Sequence, residues 1–269
     1  MDLSIILLNY KSRGLLRQCL RGILRAPPHA TYEIIVVDNA SGDGTPAMVA
    51  REFPDVRCIA SSVNTGFGPG NNIGIRASRG RYVLVMNPDV VVLGDALEEL
   101  VSYMDLHPDI GICGPQLVNP DGSIQYSCYR FPTPMIPMYR RTPLGNFAFA
   151  RRAVGDYLMR DWDHRDEREV DWLLGACIVL RRSMLDAIGL FDEQFFLYFE
   201  DTDLCRRAWE AGHRVVYNPS VHLVHYHKRE SAGSFMQIFT NKVTRVHIAS
   251  GIKYFQKYWG KPLPRVHGS

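Results

Sequence analysis

Five short clusters hold the side chains best suited to chemistry. Asp38-Asn39-Ala40-Ser41-Gly42-Asp43-Gly44-Thr45 sets a carboxylate before a tight turn, where it can accept hydrogen bonds from a ribose or a base edge; the same residue types also build ordinary turns. In Asn64-Thr65-Gly66-Phe67-Gly68-Pro69-Gly70-Asn71-Asn72-Ile73-Gly74 the glycines let backbone approach a ligand, and an adjoining helix N-terminus favours phosphate. Asn71 stands where the third glycine of a dinucleotide fingerprint belongs, and the loop follows the third strand run instead of the first, so that fingerprint is absent. Asn87-Pro88-Asp89 puts an acid between the apolar runs VLVM and VVVL, where it needs a cation, a basic group or a helix to cap. A hard divalent cation takes one or two carboxylates and completes its shell with substrate phosphates. Glu200-Asp201-Thr202-Asp203 follows the apolar run FFLYF. The helix dipole favours acids in a first turn, but three in four residues exceed what capping needs, and a half-sheltered carboxylate suits a general base. Finally, His225 and His227 share a strand face at i, i+2, close to His222, and either could complete a metal shell; single histidines more often serve as structural hydrogen-bonders.

These clusters fall at the ends of regular elements. Residues 3–8 (LSIILL) read as a buried strand, followed by a helix with Ser12 as N-cap and Leu15, Leu16, Cys19, Leu20, Ile23 and Leu24 at helical spacing, stopped by Pro27-Pro28. Residues 33–37, 56–60 and 82–86 read as further strands, with a helix opening at Pro46, a short helix in the Gly/Asn-rich stretch and an amphipathic helix over 95–106. This β-α-β-α-β order predicts an α/β fold: a mostly parallel, twisted, doubly wound sheet with helices on both faces and ligands at the carboxyl ends of the strands. Asn9, Asp38, Asn39, Asn87 and Asp89 all lie there. Residues 127–170, with four prolines and the stretch DWDHRDEREVD, read as a long surface excursion that shapes a substrate pocket. A strand at 176–180, a helix at 201–211 and a strand at 214–217 extend the same sheet.

Composition excludes disordered, collagen-like and disulfide-stapled chains: 46% of the 269 residues are hydrophobic and 22% charged. The net charge of +3 divides unevenly. From Arg214 onward nine Lys or Arg face the single acid Glu230, a surplus of +8, whereas residues 1–213 carry −5. Six scattered cysteines without a CxxC pair read as small buried hydrophobes in a reducing compartment. No apolar run approaches a membrane span, and the N-terminal MDLSIILLNYKS lacks a basic leader, so the expected location is cytoplasmic. The tail mixes Lys and Arg with Ile252, Tyr254, Phe255, Tyr258 and Trp259. That pattern suits either an anionic membrane surface, giving a peripheral station on the inner face of the cell membrane, or a terminal helix packing its aromatics on the domain.

In this order, IILLNYKS, VVDNASGDGT, NTGFGPGNNIGIRASRGRYVLVMNPDV, DWLLGACIVLRR, GLFDEQFFLYFEDTDLCRRAWEAGHRVVY and HLVHYHKRES resemble the inverting family 2 glycosyltransferases, nearest to the rhamnosyltransferase-like subgroup of bacterial polysaccharide assembly. The resemblance spans residues 3–231 and implies a GT-A fold in a single domain, 1–231, with a nucleotide-sugar-binding part (1–110), an acceptor-binding part (111–231) and a basic helical tail (232–269). By motif position it implies that Asp38 contacts the nucleoside with Asn9, Asn39 and Ser41 nearby, and that Asn64, Gly66, Phe67, Asn72 and Asn87 line the donor site. Asp89 matches the last acid of the family's DxD, whose first acid is Asn87 here, leaving one fewer carboxylate for the cation. Asp201 matches the catalytic base, Trp172, Gly175 and Glu200 the acceptor side, and His225 the histidine on metal or diphosphate, with His227 as its alternative. The implied cofactor is Mg²⁺ or Mn²⁺. The implied partners are a nucleotide-diphosphate sugar, dTDP-rhamnose before UDP-sugars such as UDP-galactofuranose, and a saccharide or lipid-pyrophosphate-linked acceptor, with no nucleic acid. Two other classes share the pattern. A sugar nucleotidyltransferase needs more glycine than LNYKSRG supplies, and a sugar-nucleotide-binding module would have no use for Asp201.

Overall fold

A computed structural model describes residues 1–226 and 242–264. The first half alternates β1 (Leu3–Asn9), α1 (Arg13–Arg25), β2 (Tyr32–Asn39), α2 (Thr45–Glu52), β3 (Arg57–Ser61), α3 (Phe67–Ala77), β4 (Tyr82–Met86), β5 (Val90–Val91) and α4 (Ala96–Leu106). The second half holds β6 (Ile110–Val118), β7 (Ile124–Gln125), β8 (Cys128–Tyr129), α5 (Met135–Arg141), a 3-10 turn (Pro143–Asn146) and α6 (Ala148–Tyr157). It continues with β9 (Arg168–Glu169), β10 (Trp172–Leu173), β11 (Cys177–Arg181), α7 (Arg182–Ile188), α8 (Glu200–Glu210), β12 (Arg214–His225) and α9 (Lys242–Lys257).

Among the described residues the main sheet runs β3-β2-β1-β4-β11-β6-β12-β5. β1 to β4 are mutually parallel, as are β6 and β12, whereas β11 lies antiparallel between β4 and β6. The mostly parallel sheet read from the sequence is therefore present and the second half joins it, but out of chain order. Central strands are apolar on both faces because both are covered. Leu3, Ile5 and Leu7 of β1 pack with Leu16, Leu20 and Ile23 of α1 and Leu97, Leu100 and Met104 of α4. Ile6 faces the other layer with Ile75 of α3, Leu185 of α7 and Leu204 and Trp209 of α8.

Ser12 sits at the N-cap of α1, but its hydroxyl donates to the Tyr10 carbonyl, and Asp43 accepts from the Arg13 N–H instead. The stretch 127–170 is more ordered than its prolines suggest. Two helices and a 3-10 turn form there, and Phe131, Ile136, Tyr157 and Trp162 are buried against the second layer. Helix α9 docks on the loop before α8: Tyr254 and Tyr258 are buried with Phe195 and Phe199. Of the two roles read for the tail, packing on the domain is the one these aromatics perform, while Ile252 and Trp259 stay exposed. No helix among the described residues is long and apolar enough to cross a membrane.

Candidate active site

The carboxyl ends of β1 and β2 lie side by side, with Asn9 in register with Asp38. The Asn9 amide Nδ2 lies 3.1 Å from Asp38 Oδ1, 3.0 Å from Ser41 Oγ and 3.0 Å from Thr45 Oγ1, and Ser41 Oγ accepts from the Lys11 N–H. Asn9, Asp38 and Ser41 thus form one buried polar knot at the sheet end. Asn39 looks the other way. Its Nδ2 donates to Asn64 Oδ1 and the Gly66 carbonyl, and its Oδ1 accepts from the Thr65 N–H, so it shapes the Gly-rich loop. Gly66 is obligatory there: at φ +94° a Cβ would stand 2.0 Å from the Phe196 carbonyl oxygen. Asn72 is buried and clasped to the 191–193 turn, donating to Phe191 O and Glu193 Oε1 and accepting from the Phe191 N–H. Its polar atoms therefore brace α3 against that turn.

Asp89 and His225 are brought together by the pairing of β5 with β12, which sets His225 opposite Val90. His225 Nε2 lies 3.3 Å from Asp89 Oδ1, and the Tyr226 N–H donates to the Asp89 carbonyl. His225 Nδ1 is 2.6 Å from Gln125 Oε1. An amide oxygen can only accept, so Nδ1 carries a hydrogen there, and Nε2 is the ring nitrogen turned toward Asp89. A histidine held through one nitrogen to direct the other is the usual arrangement of a metal ligand. The donor set fits a divalent cation that draws the rest of its shell from phosphate oxygens and water. No cluster of three or more His, Cys, Asp or Glu suited to a metal occurs among the described residues. His222 is exposed on the opposite strand face from His225, and His227 lies outside the described residues, as does the 231/232 boundary.

Asp201 opens α8 after Tyr198 and Phe199, both left-handed at φ 70° and 71°. Its Oδ2 accepts from the Gly175 N–H at 3.0 Å, and its Oδ1 from the Thr202 N–H at 2.8 Å. Burial raises the Asp201 pKa, and these two N–H donors pull it part of the way back. Glu200 is buried beside Gly68, and burial together with the neighbouring Asp201 charge pushes its carboxyl well above the usual range. Its Oε2 has no hydrogen-bond partner among the described residues. Of the two adjacent buried carboxyls, both raised by burial, Asp201 is the one held by N–H donors. A Cβ on Gly175 would press on the Phe67 ring at 3.1 Å and meet Asp201 Cβ at 3.5 Å, so the glycine lets Phe67 pack closely beside Asp201. Phe67 is half-buried, with its ring edge-on to Phe191. Trp172 stacks on Tyr129 at 4.5 Å, Tyr129 stacks on Tyr157 at 5.5 Å, and the Trp172 indole N–H donates to the Arg130 carbonyl.

The two chemical centres share one connection. The Asn87 N–H donates to the Ala176 carbonyl, and the next residue back, Gly175, holds Asp201. The inserted strand β11 thus ties the Asn87-Pro88-Asp89 turn to the candidate base. Sequence reasoning missed the supports: Gln125 behind His225, the Tyr129–Tyr157 stack, and the clamp on Asp203. Buried Asp203 accepts from Arg207 Nε at 2.8 Å, Tyr258 OH at 2.8 Å and Lys257 Nζ at 2.5 Å. Only the Asp203–Arg207 spacing, i to i+4, was visible in the sequence.

This geometry has close counterparts. Residues 4–162 match the model of the family described as Glycosyl transferase family 2. The N-acetylglucosaminyl-diphospho-decaprenol L-rhamnosyltransferase of Mycobacterium tuberculosis is 34% identical over 212 residues, covering 74% of this chain and 68% of that protein. Rhamnosyltransferase WbbL of Escherichia coli K12 is 24% identical over 265 residues, covering 94% of this chain and 92% of the relative. In fold, the chain superposes on the mannosyltransferase PcManGT from Pyrobaculum calidifontis, solved with GDP-Man and Mn²⁺, at TM-score 0.61 and 18% identity over 95% of its own length. It also superposes on GalNAc-T7, solved with UDP, GalNAc and Mn²⁺, at TM-score 0.65 and 12% identity over 97% of its length. The chain spans 64% and 48% of those two chains. By the family model over residues 4–162 and these relatives, the chain belongs to glycosyl transferase family 2, among its rhamnosyltransferase-like members.

Proposed function

We propose that the protein is an inverting glycosyltransferase that moves rhamnose from dTDP-rhamnose to a saccharide carried on a lipid pyrophosphate, in polysaccharide assembly at the inner face of the cell membrane. The observation that carries this reading is Asp201: one buried carboxylate of raised pKa, held by the N–H groups of Gly175 and Thr202 beside Phe67. A single displacement needs one base and no carboxylate nucleophile. Asp201 takes the proton of an acceptor hydroxyl as its oxygen bonds to the anomeric carbon, while the bond to the nucleotide diphosphate breaks on the opposite face. Asp38, with Asn9 and Ser41, takes the nucleoside at the ends of β1 and β2, and the loop built on Asn39, Asn64 and Gly66 closes over the donor. Asp89 and His225 would hold Mg²⁺ or Mn²⁺ against the diphosphate. When bound, the cation offsets the charge that develops on the leaving group. Phe67, Gly175, Trp172 and Glu200 border the acceptor. In this reading residues 1–110 supply the donor side and 111–231 the acceptor side.

Asp201→Asn tests the assignment. The variant keeps the shape and loses the base, so nucleotide binding survives while transfer drops by about a hundredfold to ten-thousandfold; unchanged turnover refutes it. A thermal-shift panel of dTDP, UDP, GDP and CDP, each with and without Mn²⁺, identifies the donor. A larger stabilisation by UDP than by dTDP overturns the rhamnose reading.

A further inference from the structure

An acid-free basic stretch lies in the proline-rich middle of the catalytic body. Residues 122–155 contain no acid but carry Arg130, Arg140, Arg141, Arg151 and Arg152, in a body whose balance over 1–213 is −5. After β7 and β8 this stretch folds as the α5–α6 hairpin with its 3-10 turn, and α6 ends two residues beyond it, past the exposed Asp156. Its outer side shows Met135, Met138, Leu144, Phe147 and Phe149, the two phenylalanines 56% and 60% exposed. The rings are arranged together: Phe147 stacks on Phe149 at 5.8 Å, and Tyr139 meets Phe149 edge-on at 5.7 Å. Arg140, Arg151 and Arg152 are exposed among them.

Single exposed apolar residues are ordinary, but a cluster interleaved with cations marks a docking surface. The charge pattern selects the occupant. Rings that enter the acyl boundary and guanidinium groups that meet phosphates suit an anionic bilayer, and over 135–157 four arginines stand against one acid, Asp156. We infer that the α5–α6 hairpin seats the enzyme on an anionic membrane surface. Tail helix α9, the other basic and aromatic element, has spent much of that character inside the protein. Tyr254 and Tyr258 are buried, Lys253 donates to the Gln194 carbonyl, and Lys257 bonds Asp192 and Asp203.

The hairpin also stands at the acceptor side of the site. Helix α6 ends at Tyr157, whose ring begins the Tyr157–Tyr129–Trp172 stack. Burial raises both phenols, the Arg140 cation opposes it, and the Asp201 charge adds a smaller upward push, so the stack lies within electrostatic reach of that carboxyl. An enzyme seated on this hairpin therefore turns its acceptor side toward the headgroup layer. That purpose rests on the lipid-linked acceptor proposed above; the docking itself does not.

The test uses the full chain and vesicles free of any acceptor, so its outcome is independent of the transfer reaction. Co-sedimentation is compared for phosphatidylglycerol–phosphatidylcholine and pure phosphatidylcholine vesicles. The expected result is binding to the anionic vesicles that weakens with salt. It should fall by about tenfold or more in F147S/F149S and, separately, in R151Q/R152Q, with thermal midpoint and dTDP binding unchanged. I252S/W259S, on the tail, should bind as the unaltered chain does. The inference is overturned if the unaltered chain ignores anionic vesicles, if both hairpin variants bind as tightly as it does, or if only the tail variant loses binding. It is equally overturned if F147S/F149S turns a dimer into a monomer without affecting vesicle binding.

Discussion

At Asp201, the base proposed above, two opposing effects would set the working pH. Burial favours the neutral acid, while the Gly175 and Thr202 N–H groups favour the carboxylate, and burial wins. A base must be deprotonated to act. The acid limb of the kcat/KM profile should therefore lie above the ordinary aspartate range, with activity lost as pH falls through it. Burial and the Asp201 charge both oppose ionisation of Glu200 and push its carboxyl well above the usual range. Glu200→Gln keeps the shape of the uncharged acid, so its pH profile should overlay that of the unaltered enzyme. A displaced acid limb would show that Glu200 carries charge. On the cation side, Gln125→Leu removes the acceptor that fixes the His225 tautomer. Mn²⁺ affinity, read by calorimetry in the presence of nucleotide, should weaken by about tenfold to hundredfold while metal-free nucleotide binding holds.

Helix α8 illustrates why an element must be held as well as formed. Its first turn places Glu200, Asp201 and Asp203 after two left-handed residues, a backbone course that non-glycine residues adopt only when their surroundings enforce it. The enforcement comes from α9. Ser250 donates to the Leu197 carbonyl, Gly251 lies against the Phe199 ring, and Lys257 and Tyr258 converge on Asp203. Lys257→Met leaves Arg207 and Tyr258 on Asp203 but removes one of its two cations. We expect a loss of about 2 kcal/mol, seen as a thermal midpoint lower by about 5 °C. An unchanged midpoint would remove α9 from the support of this loop.

Elements whose signal is local were legible in the sequence. The runs that became β1, β2 and β4, the amphipathic α1 and α4, and the strand-end positions of Asn9, Asp38 and Asp89 all follow from periodicity and turn chemistry. Three features were not. The place of β11 between β4 and β6 depends on which edges remain open after the first half folds, and no run of residues encodes that. Asn72 has the same polar side chain whether it faces a ligand or a turn, and only the fold shows it engaged with Phe191 and Glu193. Gln125 lies 100 residues from His225, so their contact exists only in the folded chain.

For the whole molecule, the net charge of +3 conceals three regions. The basic surplus after Arg214 is partly engaged, since Lys257 is paired with Asp192 and Asp203. The hairpin between β8 and β9 presents exposed arginines around its aromatic tip, while the Asp89–His225 pair would be offset by a cation. Ionic strength should therefore act on attachment to vesicles far more than on transfer to a short soluble acceptor. Equal salt sensitivity of the two would argue that attachment and catalysis use the same charges.

The reversed strand β11 has a further consequence, for how this enzyme can be cut and recombined. A chimera joined near residue 110 would bring a foreign strand to lie along β4, where Cys177 pairs with Met86 and Arg181 with Tyr82. The part after residue 110 cannot be exchanged as a cassette unless the incoming strand keeps that register. A fragment ending at residue 110 would leave the apolar β4, Tyr82–Met86, as an open edge prone to self-association. Recombination that carries 172–181 with residues 1–110 respects the unit that physically exists, in which β4 and β11 link the Asn87-Pro88-Asp89 turn to Asp201.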